Sequence, residues 1–344
     1  MKRSDSLFRS IAWIACSTVL ALPACTTSSS SGNASASPGA SANASTFEAK
    51  SPLKIGYTAQ DLSNPYWQNY AAGVKAGAAA ASATVVVADA KASQQQQVSG
   101  SQDVINQAIS AIIVSPVEPT ALPGTVNAAH RAHIPIVIGD VGATGDYDAF
   151  IQSNNRAGGA LAADYIAKRL GSGKVDIAVI DLHPGSTVGT DRVGGFKTEL
   201  KKFSNVHVVS ELNGNDAIKE GHDAAANALA KNPDIKGIFA ANDNEAQGAI
   251  AAIQEAGKNP KQFIIIGFDG NAGSIADISN GTQTATIAQD PYGQGKLCVK
   301  IALQLLHGEK VDFTDPATKT IQLAVQLVDA KNLAQFKKDR AGQK

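Results

Sequence analysis

The sequence predicts an α/β protein of two lobes, each built on a doubly wound parallel sheet with helices on both faces. Short runs rich in Val and Ile alternate with Ala-rich stretches of helical length. The same order of strand and helix units occurs in both halves of the body of the chain. Several predicted strands are followed by polar residues, which is where loops converge at the carboxyl ends of parallel strands.

The predicted strands are near-continuous apolar runs, the pattern of strands that are buried on both faces of a parallel sheet. They lie at residues 54–58, 84–88, 111–115, 135–139, 175–180, 206–210, 237–240 and 263–268. Helices are predicted between them, among others at residues 65–81, 94–109, 157–170 and 243–256.

Polar side chains directly follow predicted strands in both halves of the chain. Asp140 lies in the first half, whereas Asn242 and Asp269 lie in the second. Two open sheets that face each other across a cleft would bring the three side chains together. Polar residues end strands in many proteins, so each of the three carries little weight alone.

The first 25 residues have the features of a bacterial lipoprotein signal peptide. Lys2 and Arg3 supply positive charge, and the apolar run at 11–22 is shorter than the about 20 residues that span a bilayer. The sequence Leu-Pro-Ala before Cys25 resembles a lipobox, in which the cysteine is lipidated and becomes the mature N-terminus. We therefore expect an extracytoplasmic protein, anchored to the bacterial cell membrane through lipid on Cys25. The alternative is an ordinary secretory signal with an incidental cysteine.

Residues 26–51 predict a disordered tether, because Ser, Ala, Gly and Asn dominate and bulky apolar residues are almost absent. A flexible chain of this length reaches on the order of 25–30 Å, enough to hold a domain just off a membrane. With Cys16 in the signal and Cys25 lipidated, Cys298 would be the remaining thiol, so no intrachain disulfide is expected.

The charge balance excludes several classes of partner. The chain has 30 Lys and Arg against 30 Asp and Glu, which suggests neither a nucleic-acid nor an anionic-lipid partner. The six histidines are scattered without metal-ligand spacing, so no metal and no cofactor are expected. We expect a monomer.

The segment 61–67 follows the first predicted strand and carries an unusual set of side chains. Tyr66 and Trp67 supply two aromatic rings, and Asn64 supplies an amide. A sugar needs its apolar C–H faces covered and its hydroxyl edges hydrogen-bonded, and these side chains offer both. The alternative is a core aromatic pair at the start of a helix.

Short motifs recur along the body of the chain in a fixed order. They are SNPYW at 63–67, IIVSP at 112–116, IPIVIGD at 134–140, IQSNN at 151–155, DRVGGF at 191–196, FAAND at 239–243, GFDG at 267–270 and TIAQDP at 286–291. In this order and at this spacing they resemble the ribose-type periplasmic sugar-binding proteins of ABC importers, which share their core with lac-repressor-type regulators. The resemblance extends from about Leu53 to the C-terminus.

The resemblance implies a periplasmic binding protein of type I, in which two α/β lobes are joined by a three-segment hinge. The N-terminal lobe would comprise residues 52–153 and 290–319, and the C-terminal lobe residues 154–289 and 320–344. The crossings would lie near 154–155, near 290–291 and within 318–326. A ligand between the lobes favours the closed form through its differential contacts with that form.

The resemblance also implies a set of sugar-contacting positions: Gln60, Asn64, Tyr66, Trp67, Asp140, Arg192, Asn242, Asp269 and Gln289. The carboxylates would accept hydrogen bonds from vicinal hydroxyls, Arg192 would present a planar fork of donors, and the amides would both donate and accept. Phe268 would cover a sugar face together with Trp67.

Three of these side chains have alternative structural roles. Arg192 could pair with Asp191 or Glu199 on its own helix face. Asp269 could be the N-cap of a helix, a common role for aspartate. Asp140 could be a turn residue before a glycine.

Two positions depart from the ribose-binding pattern. Val141 stands where ribose binders carry an arginine directly after the aspartate. The segment 213–216 lacks the aromatic that the second lobe usually contributes, and Asn215 or Asp216 would replace it with hydrogen bonds. These differences argue against ribose itself and favour another pentose or hexose, a sugar alcohol or a cyclitol.

Other functions fit the sequence less well. The chain has no GxSxG, no GxGxxG after a strand and no P-loop lysine motif, so no enzymatic activity is expected. A transcription regulator would need a helix-turn-helix where this chain has a signal and a tether. The predicted function is capture of a monosaccharide or polyol and delivery to the permease of an ABC importer. The alternative is a sugar sensor that presents its ligand to a membrane receptor.

Overall fold

The computed structural model describes residues 47–343. The predicted signal peptide, the predicted lipidation site Cys25 and most of the predicted tether lie outside the described residues. Over the described range the chain forms two six-stranded sheets, and no helix there is long and apolar enough to cross a membrane.

The first sheet is parallel throughout. Its strands lie in the spatial order β11 (Thr320–Leu323), β5 (Ala149–Ser153), β4 (Ile136–Gly139), β3 (Ala111–Val114), β1 (Lys54–Ala59) and β2 (Thr84–Asp89). The helices of this lobe are α1 (Pro65–Ala80), α2 (Gln94–Ile105), α3 (Pro123–Arg131) and α9 (Pro291–Leu306).

Alternate side chains of the first sheet pack into two separate helix layers. Ile113 and Val137 lie in one apolar cluster with α1 and α9, whereas Ile112 and Ile136 lie in another with α2 and α3. All four side chains are fully buried. This two-sided burial is why the strands appear in the sequence as near-continuous apolar runs.

The second sheet has the same plan, except that its edge strand runs antiparallel to its neighbour. Its strands lie in the order β12 (Gln326–Asp329), β10 (Ala285–Ala288), β9 (Ile264–Asp269), β8 (Gly237–Ala240), β6 (Val175–Asp181) and β7 (Val206–Asn213). The helices of this lobe are α4 (Asn155–Leu170), α5 (Thr187–Leu200), α6 (Ile218–Lys231), α7 (Asp243–Glu255), α8 (Ala272–Asn280) and α10 (Leu333–Arg340).

Both faces of the second sheet are covered in the same way. Ile177 and Phe239 pack with α4 and α5, and Ala178 and Ile238 pack with α6 and α7. The predicted fold of two doubly wound α/β lobes is confirmed. The ends of some elements differ from the prediction: α2 stops at Ile105, and β7 continues to Asn213.

The chain passes between the sheets three times: after β5, after β10 and between β11 and β12. The predicted lobe boundary after residue 319 is wrong, because β11 pairs with β5 in the first sheet, with Ile321 opposite Ile151. The third crossing therefore consists of Ala324 and Val325, which connect β11 to β12. The short, partly polar strand β11 has no apolar run that would reveal it in the sequence.

The predicted tether ends earlier than residue 51. The Glu48 amide donates to the His133 carbonyl at 2.9 Å, and the Lys50 amide donates to Ser110 Oγ at 3.1 Å. Ser110 Oγ also lies 3.3 Å from the Lys50 carbonyl. Residues 48–50 are thus held against the first lobe by backbone hydrogen bonds, which composition alone does not reveal.

Candidate ligand-binding site

A cavity of about 420 Å³ lies between the carboxyl ends of the strands of the two lobes. In the first lobe its walls come from the loops after β1, β2, β3 and β4. In the second they come from the loops after β6, β7 and β8, from the end of β9 and from the residue after β10. This is the edge at which open α/β sheets bind ligands.

The cavity brings together all but one of the side chains that the sequence predicts as ligand-binding. They are Gln60, Asn64, Tyr66, Trp67, Asp140, Arg192, Asn215, Asn242, Asp269 and Gln289. The exception is Phe268. The set combines carboxylates, amides, a guanidinium and aromatic rings around one space.

The structure contradicts the prediction that Phe268 covers a ligand face. The ring has no exposed surface, and it packs with Ile266 in the apolar cluster under α4 and α5. Side chains two apart on a strand share a face, so Phe268 points into this layer. Arg192 Cζ lies 3.7 Å from the ring centroid, so the guanidinium covers the ring.

Arg192 is held on α5 by groups of its own lobe. Its Nε donates to Asn155 Oδ1 at 2.9 Å, and Nη1 donates to the Ala241 carbonyl at 2.7 Å. Nη1 also lies 3.3 Å from Asp269 Oδ1. The residue is 3% exposed, so the guanidinium is fixed in place at the cavity wall.

The alternative ion pairs of Arg192 do not form. Asp191 Oδ1 lies 3.8 Å from Arg156 Nε, and Glu199 binds Lys202 Nζ at 2.7 Å. Arg192 instead points inward, away from the exposed face of α5.

Two buried carboxylates face the cavity from opposite lobes. Asp140 accepts a hydrogen bond from the Tyr66 hydroxyl at 2.7 Å, and Asp269 accepts one from Gln289 Nε2 at 2.7 Å. Burial raises the pKa of Asp269 to about 8, against the opposing effect of Arg192. Burial also raises the pKa of Asp140, and the Tyr66 hydrogen bond opposes it. Hydroxyl donors from a ligand would stabilise the ionised form of both groups.

Left-handed backbone conformations cluster at the cavity. Asp140 has φ 70°, Asp269 φ 111°, Asn215 φ 50° and Asp216 φ 62°. Such conformations cost roughly 1–3 kcal/mol each for residues other than glycine and concentrate at binding sites. They turn the chain sharply at the strand ends, which directs these side chains into the cavity.

Asp243 fixes the turn that follows Asp269. One of its carboxylate oxygens accepts hydrogen bonds from the amides of Gly270 and Asn271, each at 2.8 Å. The N-cap of α8 is Asn271, so the alternative role of Asp269 as a helix cap is wrong. The side chain of Asp269 therefore does not cap a helix and faces the cavity.

Tyr66 and Trp67 serve both the core and the cavity. Their rings meet edge-on, with centroids 5.0 Å apart and an interplanar angle of 85°. Both belong to the apolar cluster of the first lobe, and both also line the cavity. The packing role considered from the sequence thus coexists with an exposed edge that a ligand could contact.

Two of the three asparagines of the cavity, Asn64 and Asn242, are helix caps. Asn64 Oδ1 accepts from the Tyr66 amide at the start of α1, and Asn242 Oδ1 accepts from the Glu245 amide at the start of α7. The NH₂ group of Asn64 remains as a donor at the cavity. The NH₂ group of Asn242 donates to Asp216 Oδ1 at 3.4 Å, which leaves its second hydrogen for a ligand.

Sequence reasoning missed three ionisable side chains of the cavity wall, Asp61, Glu118 and His183. Glu118 lies in the loop after β3, and His183 lies just after β6. Both follow strands, as Asp140 and Asn242 do, so the rule that found those residues also applied here.

Comparison with known proteins agrees with this architecture. Residues 55–310 match the model of the periplasmic binding protein domain. The chain belongs to the periplasmic binding protein family. It is 31% identical to the ribose import binding protein of Bacillus subtilis over 266 residues, which is 77% of this chain and 85% of that protein. An extracytoplasmic location follows from this membership.

Two solved structures of this family share the fold. One is an ABC transporter periplasmic solute binding protein from Actinobacillus succinogenes with bound D-allose. Its TM-score is 0.77 at 26% identity, covering 82% of this chain and 99% of that one. The other is an ABC transporter solute binding protein from Bacillus halodurans with bound myo-inositol. Its TM-score is 0.75 at 27% identity, covering 83% of this chain and 97% of that one. The predicted resemblance to ribose-type sugar-binding proteins is confirmed.

Proposed function

We propose that this periplasmic binding protein captures a monosaccharide or related polyol between its two lobes and delivers it to an ABC importer. The observation that carries the proposal is the cavity of about 420 Å³, in which carboxylates, amides, a guanidinium and aromatic rings from both lobes face one space. Relatives that bind D-allose and myo-inositol support this class of ligand.

Each type of side chain in the cavity recognises a different part of the ligand. Asp140 and Asp269 accept hydrogen bonds from ligand hydroxyls, and Arg192 and the amides donate to ring or hydroxyl oxygens. The edges of Tyr66 and Trp67 contact apolar C–H groups. Because the two acids stand on different lobes, a polyol that binds both stabilises the closed form over the open one.

The expected affinity is micromolar or tighter. A dissociation constant of 1 μM corresponds to about 8 kcal/mol. A monosaccharide has about a dozen heavy atoms, and small ligands reach close to 1 kcal/mol per atom when buried. Enclosure between two lobes provides the burial that this requires.

Binding without chemical conversion is the simplest function for this cavity. The relatives are solute-binding proteins rather than enzymes. Within residues 47–343 no group of three or more His, Cys, Asp or Glu side chains could hold a metal ion. Asp140 and Asp269 act as hydrogen-bond acceptors in this proposal.

Lipid on Cys25 would hold the protein at the membrane, next to the permease of the importer. The lipobox-like sequence before Cys25 supports this part of the proposal. A Cys25→Ala variant is expected to leave the membrane fraction and appear in the soluble extracytoplasmic fraction. Retention of the variant on the membrane would refute anchoring through this residue.

A ligand panel tests the proposal directly. Purified protein is titrated with D-ribose, D-arabinose, D-allose, D-fucose, sorbitol and myo-inositol, by calorimetry and by thermal shift. We expect at least one member to bind with micromolar affinity and to change the fluorescence of Trp67. Asp269→Asn should bind that sugar at least about tenfold more weakly, whereas the exposed Asp103→Asn should bind it as the wild type does. No response to any member would overturn the sugar-binding function.

A further inference from the structure

His183 joins the two lobes across the mouth of the cavity. Its Nδ1 lies 2.5 Å from Asp216 Oδ2, in the loop after β7 of its own lobe. Its Nε2 lies 3.8 Å from Glu118 Oε1, in the loop after β3 of the opposite lobe. One imidazole ring therefore stands between two carboxylates that belong to different lobes.

The contact is partly accessible to water. The side chains of His183, Asp216 and Glu118 are 30%, 37% and 38% exposed. Two carboxylates contact the ring, Asp216 and Glu118, and a third, Asp181 at the end of β6, acts on it through its charge. The hydrogen bond that His183 donates to Asp216 raises the pKa of His183, and burial opposes it in part.

Only the protonated ring fits both neighbours. A neutral imidazole has one N–H donor and one acceptor nitrogen. If Nδ1 carries the proton and donates to Asp216, the lone pair of Nε2 faces the carboxylate of Glu118. The imidazolium donates from both nitrogens, so its contact with Glu118 becomes attractive.

We propose that His183 is a positioning residue that holds the lobes closed when protonated, by bridging Asp216 and Glu118, and so makes ligand affinity depend on pH. This inference rests on the proposed function, because it concerns the closed form that binds the ligand. In this role His183 acts on closure of the lobes and does not need to contact the ligand.

The direction of the pH effect follows from the geometry. Opening the lobes removes Glu118 from the ring but leaves Asp216 in place, so the contact with Glu118, taken by itself, makes the pKa of His183 higher in the closed form. Through this contact, closure takes up a proton. The contribution to affinity is complete below the pKa of the open form, and it is lost as pH rises through the pKa of the closed form. In the structure with this contact the pKa of His183 is raised above its ordinary value of 6.5, so the loss is completed above that pH.

The two acids of the cavity, Asp140 and Asp269, affect the pH dependence of ligand affinity in the direction opposite to His183. Asp140 and Asp269 bind ligand hydroxyls better when ionised, so their contribution to affinity grows as pH rises. The contribution of His183 is isolated by the ratio of affinities of the wild type and Glu118→Gln. This variant keeps the shape of the side chain and removes its charge.

The test measures this ratio by calorimetry between about pH 5.5 and 9, the range in which histidine titrates. The probe is the panel sugar that binds most tightly, among D-ribose, D-arabinose, D-allose, D-fucose, sorbitol and myo-inositol. We expect the wild type to bind about two- to five-fold more tightly than Glu118→Gln at the acid end, the range of exposed ion pairs. The ratio should fall to one or below at the alkaline end, because the neutral ring turns a lone pair toward the Glu118 carboxylate. A ratio that does not change with pH would overturn the proposal.

Two further variants make the result specific. His183→Gln keeps a donor toward Asp216 but does not titrate, so it should match Glu118→Gln, and the double variant should lose no more than either alone. Glu309→Gln removes an exposed carboxylate that faces His307 and should behave as wild type at every pH. Additive losses in the double variant would show that His183 and Glu118 act independently and would contradict the bridge.

A measurement that does not depend on affinity separates this inference from the proposed function. Nuclear magnetic resonance of the labelled His183 ring gives its pKa in the free protein and with each panel sugar. Glu118→Gln should lower that pKa in the closed, sugar-bound form. If no sugar binds, the proposed function fails. If a sugar binds and Glu118→Gln leaves the pKa of His183 unchanged in the bound protein, the inference fails and the proposed function stands.

Discussion

Arg192 Nη1 lies 3.3 Å from Asp269 Oδ1, and this contact joins α5 to the end of β9 at the cavity wall. The guanidinium also covers the ring of Phe268, with Cζ 3.7 Å from the ring centroid. The arginine is thus fixed by packing on one side and by a carboxylate on another. A ligand that enters the cavity meets a donor whose position is set before binding, which lowers the entropy cost of recognition.

Replacing Arg192 with lysine tests this arrangement. A single ammonium cannot replace both the Nε bond to Asn155 and the Nη1 bond to Ala241, and it has no planar face for Phe268. Because hydrogen bonds to charged groups contribute about 1.5–3 kcal/mol, we expect sugar affinity to fall roughly 10- to 100-fold.

Calorimetry with the best-bound panel sugar measures the effect of Arg192→Lys. The matched control is Arg156→Lys, at a side chain of α4 that is 61% exposed. The control should bind as wild type does. Equal affinities for the two variants would mean that Arg192 does not contact the ligand.

Asp269→Asn should raise thermal stability at pH 8 and at the same time weaken sugar binding. Burial raises the pKa of this carboxyl group in the folded protein to about 8, whereas its ordinary value is 3.8. Between these values the unfolded chain releases its proton first, so the contribution of Asp269 to stability falls as pH rises. The asparagine variant has no proton to release at this position, so its stability does not fall with pH for this reason. We therefore expect it to melt at least about 2 °C above the unliganded wild type at pH 8.

Thermal unfolding at several pH values measures this difference, which should vanish as pH approaches 4. The same variant should bind the panel sugar at least about tenfold more weakly, because it lacks the charged acceptor. Asp103→Asn, at an exposed site on α2, should change neither quantity. A variant that melts below the wild type at pH 8 would contradict the assigned effect of burial.

Asp243→Asn should weaken sugar binding, although the Asp243 side chain makes no contact with the ligand. Asp243 is fully buried, and one carboxylate oxygen holds the amides of Gly270 and Asn271 while the other accepts from Thr286 Oγ1 at 2.8 Å. An asparagine places an NH₂ group against one of these donors. We expect a loss of about 1–3 kcal/mol in the free energy of unfolding.

Because Gly270 and Asn271 form the turn after Asp269, the same change should also lower sugar affinity. Chemical denaturation and calorimetry measure the two effects. Asp312→Asn, at an exposed side chain, is the control and should leave both unchanged. A destabilised Asp243→Asn protein with full affinity would show that this turn does not position Asp269.

The sequence predicts the parts of this site that depend on local pattern. Asp140, Asn242 and Asp269 each follow an apolar strand, and the sheet topology then brings them to one edge. The contact between His183 and Glu118 depends on how the two lobes face each other, and no local pattern carries that information.

The errors of prediction also have local physical causes. The position of Phe268 next to Asp269 predicts a ligand contact, but alternation along β9 places it in the same layer as Ile266. The short edge strand β11 has mixed burial and no apolar run, so no sequence pattern marks its lobe, and its pairing with β5 follows from tertiary contacts alone.

Gly159→Ala tests whether the close packing of α4 on α5 positions Arg192. A Cβ at Gly159 would overlap the Arg192 carbonyl oxygen and crowd the Phe196 amide at 2.8 Å, so the two helices would have to separate. Alanine favours the helix by up to about 1 kcal/mol over glycine. Overpacking costs roughly 1–3 kcal/mol, and we expect it to dominate.

The separation of the helices should also displace Arg192 from Asp269, so sugar affinity should fall together with stability. Gly173→Ala is the matched control, because a Cβ there meets nothing within 4 Å. Its effect on stability should stay within about 0.5 kcal/mol, with affinity unchanged. If Gly159→Ala lowered stability but bound the sugar as tightly as Gly173→Ala, the guanidinium would be positioned by Asn155 and Ala241 alone, independently of the spacing between α4 and α5.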